Sequence, residues 1–262
     1  MYMNLRKEQA VYWSTICLQS AIPSFFGSYI VLGHTSTGTN WLCNLLSDYY
    51  GVSVLDPWNR SFPSFSKHVF HMHRFAFFLG SAKNLVYLHR DGRDVMVSLF
   101  FKIARSPTLA SFRNDFSSFS GELMNANKAH EQLPQFIDWH FNSKQPGSVN
   151  WRIHVKEAIR RGYLHTRYES LKSDTYTELS RIIQTFDRTD FDAERLDRAI
   201  SKNVITKQEI ESHGYQVRSG EIGDWESYFS QEACKRFSFY ANDELIQLGY
   251  ETSKNWRRQR SF

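Results

Sequence analysis

An α/β fold, one domain with a mostly parallel central sheet flanked by helices, is predicted by three observations. Short apolar segments of strand length alternate with helical patterns along most of the 262 residues. Two of the strands run into a polar turn and then a helix: Tyr29-Ile-Val-Leu-Gly-His-Thr-Ser-Thr-Gly-Thr-Asn-Trp41 and Asn84-Leu-Val-Tyr-Leu-His-Arg-Asp-Gly-Arg-Asp-Val-Met-Val-Ser98. Hydrophobic residues make up 41% and aromatics 16% of the chain, with 21 Phe, enough for a large core.

The elements follow in order. Residues 4–20 read as an amphipathic helix, within an N-terminal extension over 1–28, and Pro23 and Gly27 break the chain after it. Tyr29–Gly33 is a strand, and its helix runs from Gly38 to about Tyr50. Val52–Leu55 is a short strand, Pro57 and Pro63 mark a loop, and Lys67–His73 and Asn84–Arg90 are further strands. A helix follows over Arg93–Arg105. Residues 106–132 show no clear period and read as a functional loop. Trp151–Gly162 is helical, Tyr163–Tyr168 a strand, and Leu171–Phe186 and Ala193–Lys202 are helices. Residues 206–228 read as loop, and Ser230–Leu248 is a closing helix ended by Gly249. In such a fold, ligands bind at the carboxyl ends of the strands.

The bulk numbers exclude several classes. A net charge of +5 suits a polyanionic ligand but is too mild to call for nucleic acid. The three cysteines, Cys17, Cys43 and Cys234, have neither metal nor disulfide spacing, which points to a reducing compartment. The N-terminal stretch carries Arg6, Lys7 and Glu8 before a broken apolar run and does not read as a signal peptide. No apolar run reaches the ~18 residues of a membrane span, so a cytoplasmic protein is expected.

The chemistry sits in the two strand–turn–helix segments. The first turn is rich in small hydroxyl residues and ends in Gly38 at the mouth of a helix, where backbone N–H groups can meet a phosphate. Gly33 to Gly38 has the spacing of the first half of a P-loop, but Thr39 and Asn40 stand where the P-loop lysine and hydroxyl would be. A plain strand–helix turn explains that segment equally well when it is taken alone. In the second segment Arg90 ends the strand and Ser98 lies about two helical turns on, a pair able to grip another phosphate. Two such sites suggest a nucleotide with phosphates at both ends of its ribose.

These residues resemble the PAPS-dependent sulfotransferases, mainly the cytosolic type. His34-Thr-Ser-Thr-Gly-Thr-Asn-Trp41 matches a family stretch like TYPKSGTTW, and Tyr87-Leu-His-Arg-Asp-Gly-Arg-Asp-Val-Met-Val-Ser98 matches YLxRNxxDVxVS. Arg218-Ser-Gly-Glu-Ile-Gly-Asp-Trp-Glu-Ser-Tyr-Phe229 is similar to RKGxxGDWxxxF, Trp151, His154 and Val155 to W-x-x-HV, and Tyr168-Glu-Ser-Leu-Lys172 to YEDLK. The five landmarks occur in family order across residues 29–229.

The resemblance implies a donor, 3′-phosphoadenosine 5′-phosphosulfate (PAPS), and a product, adenosine 3′,5′-bisphosphate (PAP). It implies that Thr35, Ser36, Thr37, Gly38, Thr39 and Asn40 form the loop cradling the 5′ phosphate. Arg90 and Ser98, aided by Arg218, Ser219 and Gly220, would hold the 3′ phosphate. Trp41 would stack on the adenine and Tyr168 would bond its edge. The competing reading makes Trp41 a core aromatic and pairs Arg90 and Arg93 with Asp91 or Asp94. The family's base ends a strand reading roughly V-K-T-H, matched by Val69-Phe-His-Met-His73, so His73 is the implied base. His68 fits instead if the following loop has the family's length. No fourth ligand or carboxylate spacing supports a metal at His68, His71 and His73.

Two departures stand out. Ser36 and His71 occupy positions where the family has lysines that offset charge on the leaving phosphate. His34, His71 or Lys102 could substitute. The family's dimer motif is also absent, which leaves the oligomeric state open. The implied activity is transfer of a sulfonate group to a hydroxyl or amine of a small molecule. The alternatives are a catalytically impaired PAP/PAPS-binding protein of the same fold and a P-loop kinase. Acceptor-side loops are expected at 104–130 and 206–217, and their aromatics would suit a flat or cationic acceptor. Neither nucleic acid nor a membrane is an expected partner.

Overall fold

The computed structural model describes residues 27–55, 67–75, 84–143, 150–204, 219–254 and Trp256. These divide into two compact units, residues 1–89 with 158–204 and residues 90–157 with 205–262.

The first unit is built on a five-stranded parallel sheet. Its strands are β1 (Tyr29–Gly33), β2 (Ser53–Leu55), β3 (His68–Met72), β4 (Leu85–His89) and β5 (Leu164–Arg167), in the order β2-β3-β1-β4-β5. The parallel register sets Val31 beside His71 and Val86, and Gly33 beside Leu88. Strands with both faces covered read as continuous apolar runs, which is why β1 and β4 were legible. Their side chains alternate between two clusters. Val31, Val69, Val86 and Leu88 pack with α1 (Thr39–Tyr50), α7 (Thr175–Asp187) and α8 (Ala193–Lys202) through residues such as Leu42, Leu46, Ile182, Ile183 and Leu196. Ile30, Leu32, Phe70, Met72, Leu85 and Tyr87 pack on the other face. The chain passes from β1 to β3 on one side and β4 on the other, so the carboxyl end of β1 is a topological switch point.

The second unit centres on α2 (Gly92–Arg105), where ten residues are buried, from Gly92 to Ile103, as befits a helix covered on nearly all sides. Around it lie α3 (Ala110–Ser120), α4 (Ala129–Asn142), most of α5 (Trp151–Arg161) and α9 (Gln231–Gln247). Phe100, Phe116, Phe136, Trp151, Trp225, Phe237 and Trp256 fill the interior. A Cβ on Gly92 would come within 2.7 Å of Phe237 and 2.8 Å of Trp151, so aromatic packing requires glycine there.

Several local expectations change, among them the single helix over Leu171–Phe186, which is two helices parted at Asp174. Residues 106–132, read as aperiodic, instead hold α3, two short 3₁₀ turns and the start of α4. In α4 the buried residues Ala129, Gln132, Leu133, Phe136, Ile137 and His140 keep helical spacing, but Pro134 lies inside the helix and masks the signal. Tyr168 opens a short helix, α6 (Tyr168–Ser173), instead of ending β5, and His73 lies just past β3. The expected helix over 4–20 and the loop at 206–217 fall outside the described residues. No helix among the described residues is long and apolar enough to cross a membrane.

On the face shared by Tyr87, His89 is buried with its ring 5.8 Å from that of His165. Burial, then the charges of His165 and Arg167, push its pKa down to about 3. The unfolded chain therefore binds a proton near pH 6.5 that the folded chain refuses until about pH 3. This contribution is constant above pH 6.5 and is lost at about 1.4 kcal/mol per pH unit as pH falls below it. Replacing His89 with Gln should flatten the fall in melting temperature between roughly pH 6.5 and 4. Parallel curves for the two proteins would show that His89 does not control this acid sensitivity.

Candidate active site

In the first unit, the turn after β1 is shaped by steric exclusion. A Cβ on Gly33 would lie 2.6 Å from the Leu88 carbonyl oxygen, 2.6 Å from Thr39 Cγ2 and 2.8 Å from Thr37 Oγ1. Ser36 has φ 68° and Gly38 φ 92°, so the turn passes twice through the left-handed region. Glycine adopts that region freely, whereas Ser36 pays strain for it, and its Oγ is buried without a hydrogen-bond partner. Gly38 caps α1, and the first N–H groups of a helix have no partner within it.

The loop hydroxyls are turned inward. Thr37 Oγ1 donates to the His34 carbonyl at 2.7 Å, and Thr39 Oγ1 lies 2.8 Å from His71 Nε2. His34 Nδ1 meets the Thr35 carbonyl at 2.8 Å, and Asn40 is exposed. What this turn offers an anion is chiefly backbone N–H at the start of α1.

The two histidines at the end of β3 differ in role. His71 is buried and bonded to Thr39. His73 is half-buried, and its Nδ1 lies 2.7 Å from the Gly33 carbonyl oxygen. A carbonyl only accepts, so Nδ1 carries the proton and Nε2 is the basic nitrogen. The rings of His71 and His73 are 4.5 Å apart. His68 lies at the opposite end of β3, bonded to Ser53, about 16 Å from His73 at ~3.3 Å per residue. It is therefore remote from the strand ends where ligands bind.

Tyr168 and Trp41 frame the turn. A Cβ on Gly38 would sit 2.7 Å from Tyr168 Cδ2, so the buried tyrosine ring lies directly on the Gly38 backbone. Trp41 meets that ring edge-on at 6.1 Å, and its Nε1–H donates to the Asn203 carbonyl at 3.1 Å. Asn203 in turn bonds Asp48 and Ala199, tying the end of α8 to α1. Sequence reading missed Asn203, because nothing local marks a residue whose partner stands 162 positions away.

In the second unit, Arg90 is buried, with Nη2 donating to the Glu221 carbonyl at 2.7 Å and lying 3.6 Å from Asp94 Oδ2. Asp94 accepts the N–H groups of Gly223 and Trp225, both at 2.9 Å. Burial raises its pKa, against the opposing pull of Arg90 and of those two N–H groups. Arg93 pairs with Asp91 at 2.6 Å and with Glu251, and its guanidinium lies 4.0 Å above the Trp225 ring. Burial opposes the Arg93 charge, yet Asp91 and Glu251 hold its pKa above the ordinary value. Both arginines have aspartate partners, as the competing reading held, but they are buried and not solvated. Ser98 is half-buried on α2, and Ser219 and Gly220 lead into the Asp94-bound segment. Arg218 lies outside the described residues.

The sheet, its switch point and the glycine-bounded turn define an α/β protein with a phosphate-binding turn of P-loop type. The family model described as Sulfotransferase domain matches residues 57–249, and the chain belongs to that family. The match begins after the first turn, so Gly33–Trp41 is supported by its own geometry and motif. Human sulfotransferase 2A1 is 23% identical over 85% of this chain and 85% of its own length. Cytosolic sulfotransferase 9 of Arabidopsis thaliana is 22% identical over 63% of the chain, which spans about half (51%) of that relative. Among solved structures, a mouse sulfotransferase complexed with PAP superimposes with a TM-score of 0.64 at 13% identity, covering 89% of each chain, and shares the fold.

Two substitutions in the turn should act in opposite ways. Gly33→Ala drives a Cβ into backbone and should lower the melting temperature by several degrees, equivalent to roughly 1–3 kcal/mol. Ser36→Gly removes left-handed strain and an unpartnered hydroxyl while loosening the unfolded chain, so stability should stay within about 1 kcal/mol of the parent. Thermal melts of the two variants check the pair; a tolerated Gly33→Ala would mean that the turn can open.

Proposed function

We propose that the protein transfers a sulfonate group from PAPS to a hydroxyl or amine of a small-molecule acceptor, with His73 as general base. The observation that carries this reading is the His73–Gly33 hydrogen bond, which sets the base's tautomer on the same residue that shapes the phosphate turn. Nε2 takes the acceptor proton as the acceptor oxygen or nitrogen bonds to sulfur, and the bond from sulfur to the phosphate oxygen breaks. Each unit carries one of the two anion-binding elements that such a donor calls for. In this reading the start of α1 supplies N–H groups for the 5′ phosphate, and Arg90 and Ser98 supply a cation and a hydroxyl for the 3′ phosphate.

A second reading, nucleotide binding without turnover, rests on one observation. Ser36 and His71 replace both family lysines, and the Ser36 hydroxyl is buried without a partner. Family membership removes the reason to consider a P-loop kinase. The cytosolic relative supports a cytoplasmic setting. We retain a flat or cationic molecule as the acceptor class, on the aromatic content of the chain.

Two experiments test this. The purified protein should bind PAP far more tightly than AMP in calorimetry, because Arg90 gains a charge-assisted bond of roughly 1.5–3 kcal/mol only with the 3′ phosphate. Arg90→Ala should erase most of that preference, and equal affinities in the parent would remove the assignment.

In an acceptor screen with labelled PAPS read by mass spectrometry, His73→Ala should lower turnover by about 10²–10⁴-fold while PAP affinity barely moves. Turnover by the parent and not by this variant supports the enzyme; PAP binding without turnover across the screen supports the second reading.

A further inference from the structure

The segment around Trp225 meets the start of α2 through alternate residues. Arg90 Nη2 donates to the Glu221 carbonyl at 2.7 Å, and the Gly223 and Trp225 N–H groups donate to Asp94 Oδ2 and Oδ1, each at 2.9 Å. Gly223, with φ 75°, caps the 3₁₀ turn Asp224–Ser227, so the carboxylate sits where such a turn aims its N–H groups. The same carboxylate lies 3.6 Å from Arg90 Nη2, an ion pair longer than a hydrogen bond. Asp94 itself is buried.

We propose that Asp94 is a positioning residue that assembles the 3′-phosphate site by holding the 221–225 segment and the Arg90 guanidinium on one carboxylate. This deepens the reading above and rests on it. Among the contacts that aim Arg90 are a carbonyl of the segment and the acid that fixes the segment. Ser219 and Gly220 stand immediately before that anchor, so their placement depends on it. A carboxylate can accept from both N–H groups and offset the arginine charge at once. An amide in its place has one acceptor oxygen, and its NH₂ group faces either a donor or a cation. Binding of the second phosphate and order in the segment are therefore coupled, whereas the 5′ phosphate is bound elsewhere.

The test compares PAP and AMP on the whole protein and on Asp94→Asn. The variant should lose tenfold or more in PAP affinity and less than threefold in AMP affinity. In assays with an acceptor that the parent turns over, KM for PAPS should rise while kcat stays within about threefold. A merely structural role would weaken both nucleotides alike, and that result, or an unchanged preference, overturns the inference alone. Failure of the parent to distinguish PAP from AMP overturns the underlying reading and the inference with it. Hydrogen exchange on the parent decides the matter even if the variant does not fold. PAP should slow exchange across 219–227 and the first turn of α2 more than AMP does; equal protection by the two nucleotides overturns the coupling.

Discussion

Gly33 has no room for a side chain, and much of the first unit depends on that. Its Cα faces the Leu88 carbonyl of β4, Thr37 of the turn and Thr39 at the start of α1, while its own carbonyl accepts from His73 after β3. One residue thus joins the ends of three neighbouring strands to the start of a helix. The approach is possible because β1 lies between β3 and β4, where the strand order reverses and a crevice forms. Any side chain at Gly33 would push the turn away from β4 and shift the carbonyl that orients His73. The same constraint therefore governs the backbone of the turn and the orientation of His73.

Much of this was legible in the sequence. β1, β4 and α1 declared themselves because buried parallel strands are short apolar runs followed by glycine and hydroxyl residues. His73 was expected as the last residue of a strand and lies one residue past it, and the register of β3 against β1 puts it beside Gly33. Less legible were features set by distant partners. The Tyr168 ring covers Gly38 because α6 follows β5 directly, and the Trp41 indole is bonded by Asn203. The motif containing Asp94 was noticed, but its task depends on N–H groups about 130 residues later, which no local pattern displays. Helix α4 was hidden for a different reason: one internal proline outweighed a sound helical period.

The second unit shows how a charged cluster can be built into an aromatic core. Arg93 is buried between two carboxylates and two indole rings, and Arg90 between a carbonyl and Asp94. Removing one member of such a set strands a buried charge, which costs more than the intact pair contributes. Buried ion pairs are a poor source of stability but a good source of fixed direction. Arg93 is held by two carboxylates and two rings, and among the contacts of Arg90 are a backbone carbonyl and a longer ionic contact. Two arginines three positions apart are thus fixed in different ways, Arg93 against two tryptophans and Arg90 against the 221–225 segment.

The replacement of both family lysines bears on turnover more than on binding. A loop that binds phosphate with backbone N–H groups keeps its ground-state affinity without a lysine. The missing cation would act on charge that grows only as the sulfur–oxygen bond breaks. His71 stands at one of those two positions, with its Nε2 bonded to the hydroxyl that opens α1. If Nε2 donates, the Thr39 hydroxyl hydrogen is released toward the start of the helix. If Nε2 accepts, the hydroxyl is spent on the histidine. The tautomer of the buried His71 imidazole thus decides whether the Thr39 hydroxyl hydrogen goes to the histidine or to the start of α1.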